Sequence, residues 1–156
     1  MRVLDNLVPE KVFYYFEELC NIPHGSTNTK AISDYCVNFA KERGLAYHQD
    51  AENNIIILKN GSKGYEDSKP VIIQGHLDMV CEKESDCTID FEKDGLSLAI
   101  DGDYIYAEGT TLGGDDGIAV AMALAILDDD TLEHPPIEAV FTVDEEIGML
   151  GAVAMD

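Results

Sequence analysis

The first feature that could perform chemistry is a histidine–aspartate pair, His76 and Asp78, which closes a segment that begins with the apolar residues 71–73. Residues two apart in an extended chain point to the same side, so the two side chains share a face. Histidine is a common zinc ligand, and a nearby aspartate can hold its second ring nitrogen and fix the tautomer. A pair of this kind is common on protein surfaces, so it indicates a metal site only together with other evidence.

A glycine-rich turn at residues 109–117 delivers two acidic residues, Asp115 and Asp116, to the start of a predicted helix. Glycines allow the backbone to turn tightly, and acidic side chains are favoured at a helix N-terminus. One interpretation is therefore N-capping, with Asp115 as the cap and Asp116 in the first turn. A phosphate-binding loop is excluded, because the sequence lacks the lysine of that motif and two carboxylates would face the phosphate.

Three consecutive acids, Asp144, Glu145 and Glu146, follow the apolar segment 139–143. Neighbouring carboxylates repel one another and need a cation or raised pKa values, unless they form an exposed acidic turn. With the other two motifs, which also lie at element ends, they predict a co-catalytic metal centre. Metal-assisted amide hydrolysis uses a carboxylate that bridges two ions and a free glutamate that takes a proton from water.

The elements that would position these motifs alternate between helical and extended patterns. Helices are predicted at residues 9–20, from Ser26 or Thr27 as N-cap to about 43, at 115–127, and from 148 onward. Strands are predicted at residues 46–48, 54–58, 70–75 and 137–143, with a hairpin at 98–100 and 104–106. This alternation predicts the α/β class, with a mixed sheet flanked by helices.

Composition narrows the class of protein. The 156 residues include 31 Asp and Glu against 10 Lys and Arg, a net charge of −21. Such a field repels nucleic acid and anionic membranes, so neither is expected as a partner, whereas it suits cation binding or simply solubility. The longest uncharged run, residues 117–127, is too short to span a bilayer, and the start of the chain has no signal-peptide pattern. A cytoplasmic protein with reduced cysteines is expected.

As a set, the motifs resemble those of the dinuclear zinc peptidases, the family that includes carboxypeptidase G, aminoacylase and carnosinase. The resemblance runs across nearly the whole chain and is strongest to members that hydrolyse Xaa-His dipeptides. It is carried by residues 71–80 (VIIQGHLDMV), by 109–118 (GTTLGGDDGI), and by 134–136 (HPP) leading to 142–149 (TVDEEIGM). It implies the N-terminal part of a metallopeptidase catalytic domain whose substrate is a dipeptide.

The resemblance also implies a role for each motif residue. His76 would ligate one metal and Asp78 would orient it, Asp115 would bridge both ions, and Glu146 would ligate the second. Glu145 would be the general base that takes a proton from the water held between the metals before this water attacks the peptide carbonyl. The implied cofactor is Zn²⁺, two ions per complete site, although Co²⁺ or Mn²⁺ accept the same ligands.

The chain departs from the family in length. Members are much longer, and each metal takes one more ligand from downstream, an aspartate for the His76 metal and a histidine for the Glu146 metal. Because the chain stops at Asp156, inside a predicted helix, residues 1–156 are expected to be an incomplete catalytic domain. The rest of that domain, and the lid and dimerisation domain that family members carry as an insertion, are expected to be absent. We then expect weak metal binding, no turnover, and uncovered apolar faces that favour homo-oligomers. The alternatives are a non-catalytic fragment or an acidic domain that binds divalent cations.

Other residues with reactive side chains have simpler interpretations. His24 and His48 are predicted to be surface residues, and His134 is predicted to shape the turn into the last strand. Cys81 is predicted to be a packed thiol rather than a further ligand. Asp116, which follows the bridging position, is not expected to bind metal.

Overall fold

A four-stranded mixed sheet forms the centre of the molecule, and helices pack against it. The computed structural model describes residues 2–155. In chain order, the elements are α1 (Glu10–Cys20), α2 (Lys30–Glu42), β1 (Ala46–Gln49), β2 (Ile55–Lys59), β3 (Val71–His76), β4 (Leu98–Asp101), β5 (Tyr104–Ala107), α3 (Gly114–Leu127), β6 (Ile137–Thr142) and α4 (Leu150–Ala154). The predicted α/β class is confirmed, and most predicted elements differ from these bounds by only one or two residues.

The order of the strands brings two of the predicted motifs to one edge of the sheet. The order is β1-β2-β6-β3, with β1 and β2 antiparallel, β2 and β6 antiparallel, and β3 parallel to β6. His76, the last residue of β3, lies opposite Thr142, the last residue of β6. Because the C-terminal ends of parallel neighbouring strands lie side by side, the acidic residues after β6 emerge beside His76. Strands β4 and β5 form a separate hairpin.

The hydrophobic core lies between the helices and one face of the sheet. Side chains of this face, such as Ile57 in β2 and Phe141 in β6, are fully buried together with Leu124 of α3. The alternate residues face the other way, and Leu58 and Ile72 on that side are exposed. Alternation of this kind is what a strand with one covered face requires, because successive side chains point to opposite faces.

The start of α2 differs from the prediction. The helix begins at Lys30, with Thr29 in the N-cap position, so neither Ser26 nor Thr27 caps it. The hydroxyl of Ser26 donates instead to the carboxylate of Asp78, 2.8 Å away. A long-range partner has thus taken the side chain that the local pattern assigned to the helix.

Two predictions about the whole chain concern cysteines and membranes. All four cysteines are free thiols, as predicted, and burial raises the pKa of both Cys20 and Cys36 to about 12. None of the helices described within residues 2–155 combines the length and the apolar character needed to cross a membrane.

Candidate metal centre

The imidazole of His76 is held at the end of β3 with one nitrogen directed at the site. Its Nδ1 lies 2.9 Å from the backbone oxygen of Asp78 and 3.5 Å from Oδ1 of the same residue. A carbonyl oxygen only accepts hydrogen bonds, so Nδ1 carries the proton and the neutral ring keeps a lone pair on Nε2. The prediction assigned this contact to the Asp78 carboxylate, whereas the main-chain oxygen makes the shorter one.

Carboxylates from two other segments surround Nε2 of His76. Asp115 Oδ1 lies 3.3 Å from it, and Glu145 Oε2 lies 3.9 Å from it. One ligand atom each from His76, Glu145 and Glu146 lie within 4.8 Å of one another. The fold thus brings together, around one ring, the motifs that the sequence places far apart.

The glycine-rich turn positions Asp115 at the start of α3. Gly113 has φ 68°, and a Cβ at this position would lie 2.9 Å from the Met79 sulfur, so only glycine fits without displacement. The side chain of Asp115 is 90% exposed and approaches His76. Its backbone is not helical, and the peptide bond to Asp116 is cis.

Asp116 occupies the inner side of the same turn. Its Oδ2 accepts a hydrogen bond from the backbone N–H of His76 at 3.3 Å, and a Cβ at Gly75 would lie 2.8 Å from this oxygen. Burial raises the pKa of Asp116 above its ordinary value, the Asp115 charge adds to the rise, and His76 opposes it. Among the described residues, neither carboxylate accepts a hydrogen bond from the N–H groups of α3, so the N-capping interpretation is wrong.

Hydrogen bonds of both the backbone and a side chain hold the acidic loop that follows β6, residues 144–146. The N–H of Val143 donates to Asn54 Oδ1 at 3.0 Å, and Asp144, at φ 55°, accepts a hydrogen bond of 2.6 Å from the N–H of Thr27. The side chain of Glu146 is exposed, as the alternative of an acidic turn requires. These hydrogen bonds nevertheless fix the course of the loop where it passes His76.

The carboxylate of Asp78 joins the acidic loop to β3. Its side chain is 0% exposed. Its Oδ1 accepts the N–H of Glu145 at 3.0 Å, and its Oδ2 accepts the N–H of Glu146 at 3.3 Å. The sequence pattern gave Asp78 only a link to His76, so this link to the acidic loop is an addition from the structure.

The charges of the site favour a cation. Burial lowers the pKa of His76, but the Asp78 backbone oxygen and the carboxylates of Asp78, Asp115 and Asp116 outweigh it, and the net pKa is raised. With Glu145, four carboxylates lie around this imidazole and repel each other, and a bound cation relieves this repulsion. The donor set of one nitrogen and several carboxylate oxygens fits zinc.

The remaining histidines and Cys81 have mixed outcomes. His48 is exposed, as predicted. His134 lies in the segment before β6, and its Nδ1 is 2.8 Å from the backbone oxygen of Pro135. His24 is not a surface residue, since it is only 5% exposed. Its Nδ1 donates to the backbone oxygen of Ile22 at 2.6 Å, and burial lowers its pKa. Cys81 is half-buried with its sulfur against Gly25, which agrees with a packed thiol.

Comparisons with known proteins find similarity over nearly the whole chain. Residues 72–156 match the family described as Peptidase family M20/M25/M40. The chain is 43% identical over 155 residues to the cytosol non-specific dipeptidase of Escherichia coli (strain K12). This match covers 99% of this chain and 32% of that protein.

Solved structures of peptidases also resemble the chain, again over only part of their own length. The aminoacylhistidine dipeptidase of Vibrio alginolyticus matches with a TM-score of 0.95 and 39% identity, over 98% of this chain and 31% of that one. A tripeptidase of Staphylococcus aureus matches with a TM-score of 0.75 and 24% identity, over 94% of this chain and 39% of that one, a likeness of fold. The chain therefore spans about a third of the length of these relatives.

Proposed function

The chain belongs to peptidase family M20/M25/M40, and from this membership and the geometry around His76 we propose that it forms the metal-binding part of a dipeptidase catalytic domain. The proposed reaction is hydrolysis of the peptide bond of Xaa-His dipeptides, in line with the aminoacylhistidine dipeptidase that the chain resembles. The other similar protein, a cytosol non-specific dipeptidase, supports the coarser proposal of a dipeptidase. The observation that carries the proposal is the approach of His76 Nε2 to within 3.3 Å of Asp115 and 3.9 Å of Glu145.

Two ions are proposed for the site. His76 and Asp115 would hold the first, and Asp115 with Glu146 would hold the second. Zinc sites take three or four protein ligands, and this assignment supplies two per ion. We therefore propose that residues 1–156 are an incomplete catalytic domain and that each ion takes a further ligand from outside the described residues.

The protein's own groups have distinct tasks in this reaction. When bound, the ions supply Lewis-acid polarisation of the scissile carbonyl and of the attacking water. Glu145 is the general base, because its carboxylate lies beside the ligands and would accept the proton that this water loses. The same carboxylate returns the proton to the leaving amine. Asp78 keeps the proton of His76 on Nδ1 and so keeps Nε2 available.

A zinc titration tests the metal site. By calorimetry, we expect the chain to bind Zn²⁺ weakly, because the ligand sets are incomplete, and to lose this binding in His76→Ala. His48→Ala is the matched control, since His48 is exposed on β1, and should bind as the unaltered chain does. Binding that is equal in both variants would contradict the proposal.

The incomplete ligand set also favours a second candidate, a domain that binds cations without turnover. For residues 1–156 on their own, we expect no hydrolysis of an Xaa-His dipeptide with or without added Zn²⁺. Release of free histidine would be the measurement. Zinc-dependent release that is lost in Glu145→Ala would show that these residues are catalytically sufficient.

A further inference from the structure

The loop between α1 and α2 lies along the segment that follows β3. Gly25 forms a parallel bridge with Met79. The N–H of Met79 donates to the backbone oxygen of His24 at 3.1 Å, and the N–H of Ser26 donates to the Met79 oxygen at 3.4 Å. The backbone of this loop thus fixes the place of Ser26 next to Asp78.

The hydroxyl of Ser26 reaches the carboxylate that holds the acidic loop. Ser26 Oγ donates to Asp78 Oδ2 at 2.8 Å, and this oxygen also accepts the N–H of Glu146. Asp78 Oδ1 accepts the N–H of Glu145 and lies 3.5 Å from His76 Nδ1. Both oxygens of one buried carboxylate therefore face the site, and Ser26 is the hydroxyl that fixes their rotation about the Cβ–Cγ bond.

The loss of one donor to a buried carboxylate has a specific consequence. A charge-assisted hydrogen bond is about twice as strong as a neutral one, and a buried carboxylate with fewer donors turns or moves to recover solvation. Any rotation of Asp78 changes its contacts with Glu145, Glu146 and His76 together. Residues that hydrogen-bond to metal ligands without binding the metal themselves affect metal affinity by about 10–100-fold.

We propose that Ser26 is a positioning residue of the candidate metal centre, which acts through Asp78 to fix Glu145 and Glu146 relative to His76. This inference rests on the proposed function for its effect on metal binding, but not for the positioning itself. The backbone N–H of Thr27, which donates to Asp144, gives the same loop a second hold on the acidic segment.

The experiment compares three variants of the full chain. Ser26→Ala removes the hydroxyl, and Ser26→Thr keeps it. Ser62→Ala is the matched control: the Ser62 hydroxyl also joins two distant segments, donating to the His134 backbone oxygen at 3.2 Å and accepting the His134 N–H at 2.9 Å, near the start of β3 rather than its end. If Ser26→Ala does not fold, Ser26→Cys, a weaker donor of similar size, replaces it.

The first readout is amide hydrogen exchange at Glu145 and Glu146 in the metal-free protein. We expect Ser26→Ala to speed exchange at both amides, Ser26→Thr to restore it, and Ser62→Ala to leave it unchanged. Unchanged exchange in Ser26→Ala would overturn the inference. Asp78→Asn gives a further check, because adding Ser26→Ala to it should have no additional effect if both changes act through the same carboxylate.

The second readout is Zn²⁺ affinity, which separates the inference from the function it rests on. We expect Ser26→Ala to raise the Kd about tenfold, with recovery in Ser26→Thr. Faster exchange with an unchanged Kd would overturn the role of Ser26 at the metal. Faster exchange in a chain whose zinc binding does not depend on His76 would support the positioning contact and refute the proposed metal site.

Discussion

At the scale of single residues, the two adjacent glutamates of the acidic loop lie in different surroundings. Glu145 is half-buried with Oε2 3.9 Å from His76 Nε2, whereas Glu146 is exposed. Their N–H groups bind the two oxygens of Asp78 separately. Consecutive residues with separate anchors can direct their side chains to different tasks, and this supports the assignment of Glu145 as base and Glu146 as ligand.

Isosteric amides test this division between the two residues. Glu146→Gln should raise the Kd for Zn²⁺ about tenfold, since it removes a charged ligand, whereas Glu145→Gln should change the Kd by no more than about twofold. Calorimetric titration measures both, with Glu133→Gln as a control at an exposed glutamate that precedes β6, at the opposite end of that strand from the acidic loop. The opposite order of affinities would exchange the two roles.

The sequence predicted which residues meet in the site, but not everything that holds them. His76, Asp115 and Glu145 stood out because acidic or histidine motifs follow strands or precede a helix, and the structure brings them together. Their chemical roles stay predictions. The local pattern favours Ser26 as a helix cap, whereas its partner in the structure, Asp78, is 52 residues away, and no local pattern signals that contact.

At the scale of elements, the C-terminal end of α3 is held by a buried lysine from β2. Nζ of Lys59 donates to the backbone oxygens of Leu127 and Asp129, each at 2.9 Å, and approaches that of Ile126 at 3.4 Å. The last carbonyl groups of a helix lack partners within the helix, and a cation there also interacts favourably with the helix dipole. Lys59 thus fixes α3, which carries Asp115 at its other end.

Lys59→Met should therefore destabilise the fold. We expect a loss of about 2 kcal/mol in the free energy of unfolding, because the carbonyl groups lose a charged donor in a buried place. Urea unfolding followed by circular dichroism would measure it. Lys63→Met, at an exposed position, is the control and should cost almost nothing. If Lys59→Met and Lys63→Met changed the free energy of unfolding equally, the contacts of Lys59 with the end of α3 would contribute no stability.

A second contact between elements depends on pH. Asp128 follows α3 and receives Arg43 Nε at 2.5 Å and Lys11 Nζ at 3.0 Å. Burial raises the pKa of Asp128, but its hydrogen bonds with Lys11, Arg43 and Tyr15 outweigh this, and the net pKa is lowered. A pKa that is lower in the folded state stabilises the protein above the pKa of the unfolded chain, and this stability is lost as the pH falls.

Asp128→Asn should then be less stable than the unaltered protein by about 1 kcal/mol near neutral pH, because these ion pairs are partly exposed. The difference should shrink toward zero as the pH falls below about 4, where the unfolded aspartate becomes protonated. Urea midpoints across this range measure it, and Asp103→Asn, on the exposed β4–β5 turn, serves as the control. A difference that is constant with pH would assign the effect to packing instead of charge.

The elements themselves were easier to predict than their arrangement. Apolar runs such as Ile55–Lys59 and Ile137–Thr142 have the composition of buried strands, and their bounds follow from the flanking turn residues. Local patterns contain no information on pairing, so the insertion of β6 between β2 and β3 could not be derived from them. That insertion is what places the acidic loop beside His76.

At the scale of the whole molecule, the sheet is covered unevenly. The helices pack on one face, while Leu58 and Ile72 on the other face are exposed, Ile72 by 63%. β3 also stands at the edge of the sheet, paired only with β6 within the described residues. An exposed, apolar edge strand is a template for pairing with another chain.

We therefore predict that the chain associates with itself through β3, and that its charge opposes this. A net charge of −21 makes copies repel one another, so salt should increase association by screening the repulsion. Sedimentation velocity should show a mean mass that rises with protein and salt concentration. Ile72→Lys should suppress the rise, whereas Tyr104→Lys, which adds the same charge at a side chain 77% exposed on the separate hairpin, should not. If both lysines act equally, charge alone governs association; if neither does, the edge of the sheet is not the contact.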